Sequence, residues 1–346
     1  MGEGKGSIIF YESSEKPPFA LLYKDFWTFS EIFSPSLDRV PFLVNKPTIQ
    51  KEGVSMKIWP DCIPCILKMA FGIARVAMKG EDQVRGFMEE VLRLRYFNGE
   101  DWGVTSPEVI EDIWLKVIEF SGESDPLKAI KNEQNSRALA IYPLAKEFVL
   151  KSEDPFLAAV KLAIAGNSMD AMTDVKGEAP EKIIKKWRGS KIGNGNLNRL
   201  RERLSKTRKL VYLGDNCGEI VFDKLLIEIL LEMYRLEITF ITRTLPILND
   251  ATLRDALSVG MGEIAQVVEN GVQEPIPGTY LKKINSETKT LIERSDLVLS
   301  KGGGNYDTLT DEERLKGKVS FLFVAKCYPY CNIHQVSLNA PIIYNF

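Results

Sequence analysis

From about Lys57 to Lys206 the apolar residues recur at helical spacing. Val84, Phe87, Met88 and Val91 fall at i, i+3, i+4 and i+7, as do Ile110, Ile113, Trp114 and Val117, so each set lines one face of a helix. Ser106-Pro107 and Asp154-Pro155 read as N-caps followed by proline in the first turn. The run from Phe156 to Ala165 is expected to stop at Gly166 and leave Asn167-Ser168-Met169-Asp170 as a polar segment at a helix end. From about Arg208 the period changes. Leu210–Leu213, Ile238–Ile241, Gln266–Val268, Leu297–Leu299 and Val319–Val324 are short apolar runs, separated by helical candidates at Ile220–Tyr234, Asp250–Leu257 and Gly278–Glu293. Strands alternating with helices of this length predict right-handed βαβ units and a parallel sheet covered on both faces.

The expected fold is therefore α/β, with a mostly helical region at 56–206 packed on a Rossmann-like α/β domain at 207–346. Residues 1–55 read as an appended, irregular extension. Pro17, Pro18, Pro35, Pro41 and Pro47 punctuate it among Phe10, Phe19, Phe26, Trp27, Phe29, Phe33 and Phe42, and no period lasts two turns.

Composition narrows the chemistry. The 346 residues carry 45 Lys and Arg against 47 Asp and Glu, a net charge of −2, so there is no overall electrostatic footprint for nucleic acid or an anionic membrane. No stretch approaches the ~20 apolar residues of a membrane span, and the first residues lack a secretory h-region, which predicts a cytoplasmic protein. His334 is the sole histidine. HExxH and three-histidine zinc centres are thereby excluded, and a Ser-His or Cys-His machine would have to use a residue in the last dozen. Catalysis is expected to run on carboxylates, amides, lysines and a metal.

In open α/β sheets ligands bind beyond the carboxyl ends of the strands. The first predicted strand ends in Gly214-Asp215-Asn216-Cys217-Gly218-Glu219, the second in Arg243 and then Asn249-Asp250-Ala251-Thr252, a later one in Lys301-Gly302-Gly303-Gly304-Asn305, and the last in Ala325-Lys326-Cys327. Asp215 and Asp250 supply hard anionic oxygens and Asn216 a neutral carbonyl, which suits Mg2+ or Mn2+, with Co2+ or Ni2+ as further candidates. Lys301, Arg243 and Lys326 suit a phosphate's charge, and Gly302–Gly304 let backbone N–H groups approach it. Any one of these residues alone could equally cap a helix or sit in a turn; their coincidence at strand ends points to a cation bridging a phosphoryl group. Asp-x-Asp, GxxxxGK[ST] and a cysteine-phosphatase loop are all missing. Cys62-Ile-Pro-Cys65 with Cys327 and Cys331 could hold a structural zinc, or act as a redox pair, or pack as apolar thiols.

Asp215-Asn-Cys-Gly-Glu-Ile-Val-Phe-Asp-Lys224, Asn249-Asp-Ala-Thr252 and Lys301-Gly-Gly-Gly-Asn305 resemble the signature of the damage-control phosphatases, once called domain of unknown function 89 and related to acidic-residue methyltransferase-like proteins. Met56–Cys65 and Gly166–Asp170 resemble the archaeal and bacterial branch. The resemblance spans about 56–340. It implies a helical region on a Rossmann-like domain and metal-dependent hydrolysis of small phosphomonoesters, including sugar phosphates and damaged or misrouted metabolites. It implies that Asp215, Asn216 and Asp250 hold the metal, and that Asn167, Asp170 and Lys301 contact the phosphate or its surroundings. Either water or a carboxylate, Asp215 being the candidate, attacks in line. Asp307 stands where the pattern has Glu, and Tyr328-Pro-Tyr-Cys331 replaces smaller residues. The alternatives are an S-adenosylmethionine-dependent carboxyl methyltransferase and a non-enzymatic cysteine-based metal or redox module.

Overall fold

The computed structural model describes residues 56–170, 179, 180, 182, 183 and 192–346; the expected extension at 1–55 lies outside the described residues. Five helices open the described chain: α1 Cys62–Ala77, α2 Glu81–Leu92, α3 Ser106–Ser121, α4 Lys128–Leu150 and α5 Pro155–Gly166. After α6 Asn194–Ser205 the chain alternates: β1 Lys209–Leu213, α7 Glu219–Met233, β2 Glu237–Thr242, α8 Leu253–Ser258, β3 Gln266–Glu269, α9 Ser286–Arg294, β4 Leu297–Lys301, α10 Gly302–Leu309, β5 Val319–Val324, α11 Tyr328–His334 and β6 Pro341–Asn345. Residues 53–346 form one compact unit. No helix among the described residues is long and apolar enough to cross a membrane.

The strands lie in the order β3-β2-β1-β4-β5-β6, parallel from β3 to β5, so the fold is α/β with a sheet that is mostly parallel. The five strands expected from the sequence are the parallel ones, and a sixth lies beyond them. That sixth strand, β6, pairs antiparallel with β5, Phe323 opposite Ile342. The order reverses between β1 and β4, and that switch point is where a crevice opens above a doubly wound sheet. β4 and β5 are buried along their whole length, as strands covered on both faces must be.

Two local readings shift. The N-cap of α3 is Thr105, one residue before Ser106, and it forms a reciprocal capping box with Glu108. Asp154 caps α5 as expected, accepting from Leu157 N at 3.0 Å. Gly166 does not stop α5 in a left-handed turn; it is the last α-helical residue, and the chain continues into a 3-10 turn, Asn167–Met169. Its role is close approach. A Cβ there would lie 3.0 Å from the Phe222 ring and 3.2 Å from Glu219 Cα, so α5 can press directly on α7. That contact carries Asn167, at the end of α5, to the start of α7.

The substitution Gly166→Val should cost about 1–3 kcal/mol through overpacking at this crossing, read as a lowered denaturation midpoint with unchanged m. A Gly166→Val variant as stable as the wild type would remove the close-approach reading.

Candidate active site

The carboxyl ends of β1 and β2 are zipped together by backbone hydrogen bonds. Ala251 N donates to Asp215 O at 2.7 Å, Cys217 N to Asn249 O at 2.8 Å and Arg243 N to Ala251 O at 3.0 Å, and Asn216 and Asp250 form a short antiparallel bridge. Leu248, just before this segment, adopts φ 47, a left-handed conformation that costs a branched residue energy and is tolerated because its surroundings fix it. Asn249 fastens the turn from its side chain, donating to Gln134 Oε1 at 3.0 Å and Met169 O at 2.9 Å.

Asp215 and Asp250 are thereby brought together, both buried. One guanidinium spans them: Arg243 Nε donates to Asp250 Oδ2 at 2.7 Å, and another of its nitrogens lies 3.5 Å from Asp215 Oδ1. Asp215 Oδ2 also accepts from the side-chain amides of Asn216 at 2.7 Å and Asn167 at 3.1 Å. Burial and then the neighbouring Asp250 and Glu219 charges push the Asp215 carboxyl well above the usual range, with Arg243 opposing. Burial raises Asp250 too, against the pull of Arg243. A single arginine therefore leaves the pair short of positive charge.

Gly302 completes the arrangement. It sits at φ 77, and a Cβ on it would fall 1.8 Å from Asp215 Oδ2, so glycine is required both by the backbone and by the carboxylate against it. Gly303 and Gly304 form the first turn of α10, whose N–H groups have no helical partner, and both line a cavity of about 280 Å³. Asn167, Asp170, Asp215, Asn216, Asp250 and Lys326 line the same cavity. Lys326 Nζ donates to Asp170 Oδ2 at 2.6 Å.

Three sequence expectations are corrected here. Lys301 is fully buried and does not line the cavity; its ammonium donates to Ala163 O at 2.7 Å, Glu219 Oε1 at 2.5 Å and Asp223 Oδ1 at 2.7 Å, which occupies all three donors. The reason is pleat direction: as the last residue of β4 its side chain points under α5 and α7 rather than up into the crevice. Arg243 is likewise committed inside, to Asp250, to Gly278 O at 2.6 Å and to Asn305 Oδ1 at 3.2 Å. Asn305 is a buried brace, donating to Gly214 O at 3.1 Å and Lys301 O at 2.8 Å.

The thiols also depart from the zinc expectation. Cys62, Cys65 and Cys327 line the cavity while Cys331 does not, and no three His, Cys, Asp or Glu side chains among the described residues are grouped to hold an ion. Burial pushes the Cys62 thiol up to about 11 and Cys327 up to about 12, so both are neutral thiols. All five cysteines are unpaired. His334 packs on the rings of Tyr306, Phe323 and Tyr344, and burial lowers it to about 4. It is an aromatic-box residue.

Several residues central to the geometry carried weak signals in the sequence. Glu219 read as an ordinary first-turn acid, yet it is fully buried: Lys301 holds one of its oxygens, and the amides of Asn216 and Asn167 hold the other at 2.9 and 3.2 Å. Asp223 is raised to about 7 by burial despite Lys301, and accepts from Tyr212 Oη at 2.7 Å. Asp307, doubted as a departure from the pattern, lies in the cavity wall with Tyr330 and Ser106. The i, i+4 spacing from Gly303 to Asp307 could have placed it on the same helix face.

The chain as a whole has relatives among known proteins. The model of the damage-control phosphatase ARMT1-like domain matches residues 58–341. A damage-control phosphatase from Archaeoglobus fulgidus is 33% identical over 278 residues, covering 79% of this chain and 94% of that protein. Damage-control phosphatase PH1575 from Pyrococcus horikoshii is 28% identical over 273 residues, covering 79% of this chain and 92% of that one. The crystal structure of PH1575, a DUF89 family protein, superposes with a TM-score of 0.73 at 26% identity, covering 84% of this chain and 100% of that one. With a family match over most of its length and a relative at 33% identity spanning nearly all of that relative, the chain belongs to the damage-control phosphatase family, a family of hydrolases.

Proposed function

We propose that this protein hydrolyses small phosphomonoesters, sugar phosphates or damaged and misrouted phosphometabolites, with a divalent cation held by Asp215, Asn216 and Asp250. The observation that carries the reading is the pair of buried carboxylates at the β1/β4 switch point with, among the described residues, only Arg243 to neutralise them. A divalent ion is what such a pair lacks. The donor set fits Mg2+ or Mn2+: two carboxylates and an amide carbonyl give hard oxygens and leave positions for water and phosphate. Both donors of the Asn216 amide go to Asp215 and Glu219, which leaves its carbonyl oxygen as the atom it can offer an ion. When bound, the cation supplies charge neutralisation and polarises a phosphoryl oxygen.

The chain's own groups supply the rest. The Gly303 and Gly304 N–H groups orient phosphate oxygens at the start of α10, and Lys326 contributes the compensating charge first assigned to Lys301. Asp170 steers the Lys326 ammonium, and Asn167 anchors Asp215. Asp215 accepts the proton of an attacking water or attacks in line itself. Lys301 works from below: it fixes Glu219, which fixes the amides of Asn167 and Asn216. Membership in a phosphatase family favours this reading over methyl transfer. Five unpaired cysteines suit a reducing, cytoplasmic setting.

Asp215→Asn and Asp250→Asn should each abolish phosphate release with Mn2+ or Mg2+. Asp215→Asn should unfold at the same temperature as the metal-free wild type or higher at pH 7–8, because a carboxyl raised by burial destabilises the fold as it ionises with rising pH. Wild type should gain melting temperature from Mn2+ and Asp215→Asn should not. Wild-type rates in either variant, or equal Mn2+ stabilisation of Asp215→Asn and wild type, would refute the assignment. The two lysines should separate cleanly. Lys326→Met should raise KM about ten-fold or more with the fold kept, whereas Lys301→Met should lose about 3–5 kcal/mol of stability by stranding Glu219 and Asp223. The reverse pattern would restore Lys301 to the phosphate.

A further inference from the structure

Breaking a phosphate ester leaves an alkoxide that needs a proton, and none of the groups assigned above supplies one. Asp307 is placed to do so. It follows Gly303 by one helical turn on α10, lines the same cavity and is only 6% exposed. Its Oδ1 accepts from Tyr330 Oη at 2.8 Å and its Oδ2 from Ser106 Oγ at 3.3 Å. Among the described residues no lysine, arginine or histidine pairs with it, in contrast to Asp215 and Asp250 with Arg243 and Asp170 with Lys326.

The surroundings hold a substantial share of this carboxyl protonated near neutral pH. Cys62 faces it from α1, Ser106 from α3, Tyr280 from the loop before α9, and Cys327 and Tyr330 from the start of α11, while Tyr306 and Asp311 belong to its own helix and exit. Burial keeps every one of those thiols and phenols protonated at neutral pH, so Asp311 is the one charge among them. Burial, reinforced by Asp311 and opposed by the two hydroxyl donors, raises Asp307 to about 7.

The glycine turn gives the two kinds of acid their relation. A Cβ on Gly302 would strike the Asp215 carboxylate at 1.8 Å, and one on Gly303 would strike the Tyr330 hydroxyl at 2.5 Å. The anionic pair and the Asp307–Tyr330 pair thus flank one turn, the turn whose N–H groups open the cavity.

We propose that Asp307 is the general acid that protonates the departing alcohol, an inference that rests on the phosphatase reading above. The attacking oxygen forms its bond to phosphorus as the bond from phosphorus to the ester oxygen breaks. The electron pair passes to that oxygen, which takes the Asp307 proton and leaves as the alcohol. The proton lost by the attacking water passes to Asp215 and from there to solvent, and Asp307 regains one from solvent, so the sum is ester plus water to alcohol plus inorganic phosphate.

The test compares leaving groups. Asp307→Asn should lower kcat/KM for a primary alkyl phosphate such as glycerol 3-phosphate by about 100-fold or more, yet change p-nitrophenyl phosphate, whose phenolate leaves unprotonated, by no more than about three-fold. The wild-type alkyl rate should fall as pH rises through the Asp307 titration, and that limb should vanish in Asp307→Asn. Tyr330→Phe removes a donor that favours the ionised carboxyl, so it should move the limb to higher pH while keeping it. Equal losses on both esters, an unchanged alkyl rate, or a limb that survives Asp307→Asn would overturn the assignment while leaving the phosphatase reading intact. A wild type inert toward every phosphomonoester would sink both.

Discussion

Two carboxylates buried against each other with one arginine between them form the constraint on which this site depends. Like charges in a poorly solvated crevice repel by several kcal/mol unless protonated or neutralised, and Arg243 can do that for Asp250 more fully than for Asp215. The fold holds them there regardless. Backbone hydrogen bonds from residues 249–251 to residues 215–217 fix the separation, and Gly302 gives way to admit the Asp215 carboxylate. That electrostatic deficit is the basis of the proposed cation site.

Beneath that layer lies a second set of charges with the opposite character. Lys301, Glu219 and Asp223 are fully buried, both acids accepting from the one ammonium, and the buried Lys131 ammonium pairs likewise with Asp125 and Asp255. Removing one partner from such a group would leave an uncompensated buried charge, which is why these residues read as rigid support. The amides of Asn167 and Asn216 join the layers. Each bonds both to Glu219 below and to Asp215 above, so orientation set in the interior is transmitted to the cavity surface.

The sequence made the architecture and the rim of the site legible, because both depend on local pattern. Apolar runs of strand length alternating with helices gave five of the six strands within one or two residues, and reading the residues after each strand gave Asp215, Asn216, Asp250, Gly303 and Gly304, all of which line the cavity. Side-chain direction was not legible. Lys301 and Arg243 follow the same strands and carry the right charge, but the pleat of β4 and the span of the guanidinium turn them inward. Gly166 looked like a helix stop and is a contact surface, since only the packed neighbour, Phe222, reveals why the side chain must be missing. Asp307 was obscured because its meaning comes from Tyr330 and Ser106, which lie 23 and 201 residues away in the chain.

The central claim is that Asp215, Asn216 and Asp250 share one divalent cation, and anomalous diffraction from crystals of the protein soaked in Mn2+ tests it most directly. The account predicts a single strong manganese peak within coordination distance of all three side chains, above the Gly302–Gly304 turn. A peak at the cysteines instead, or none there in a protein that still releases phosphate in the presence of a chelator, would contradict it.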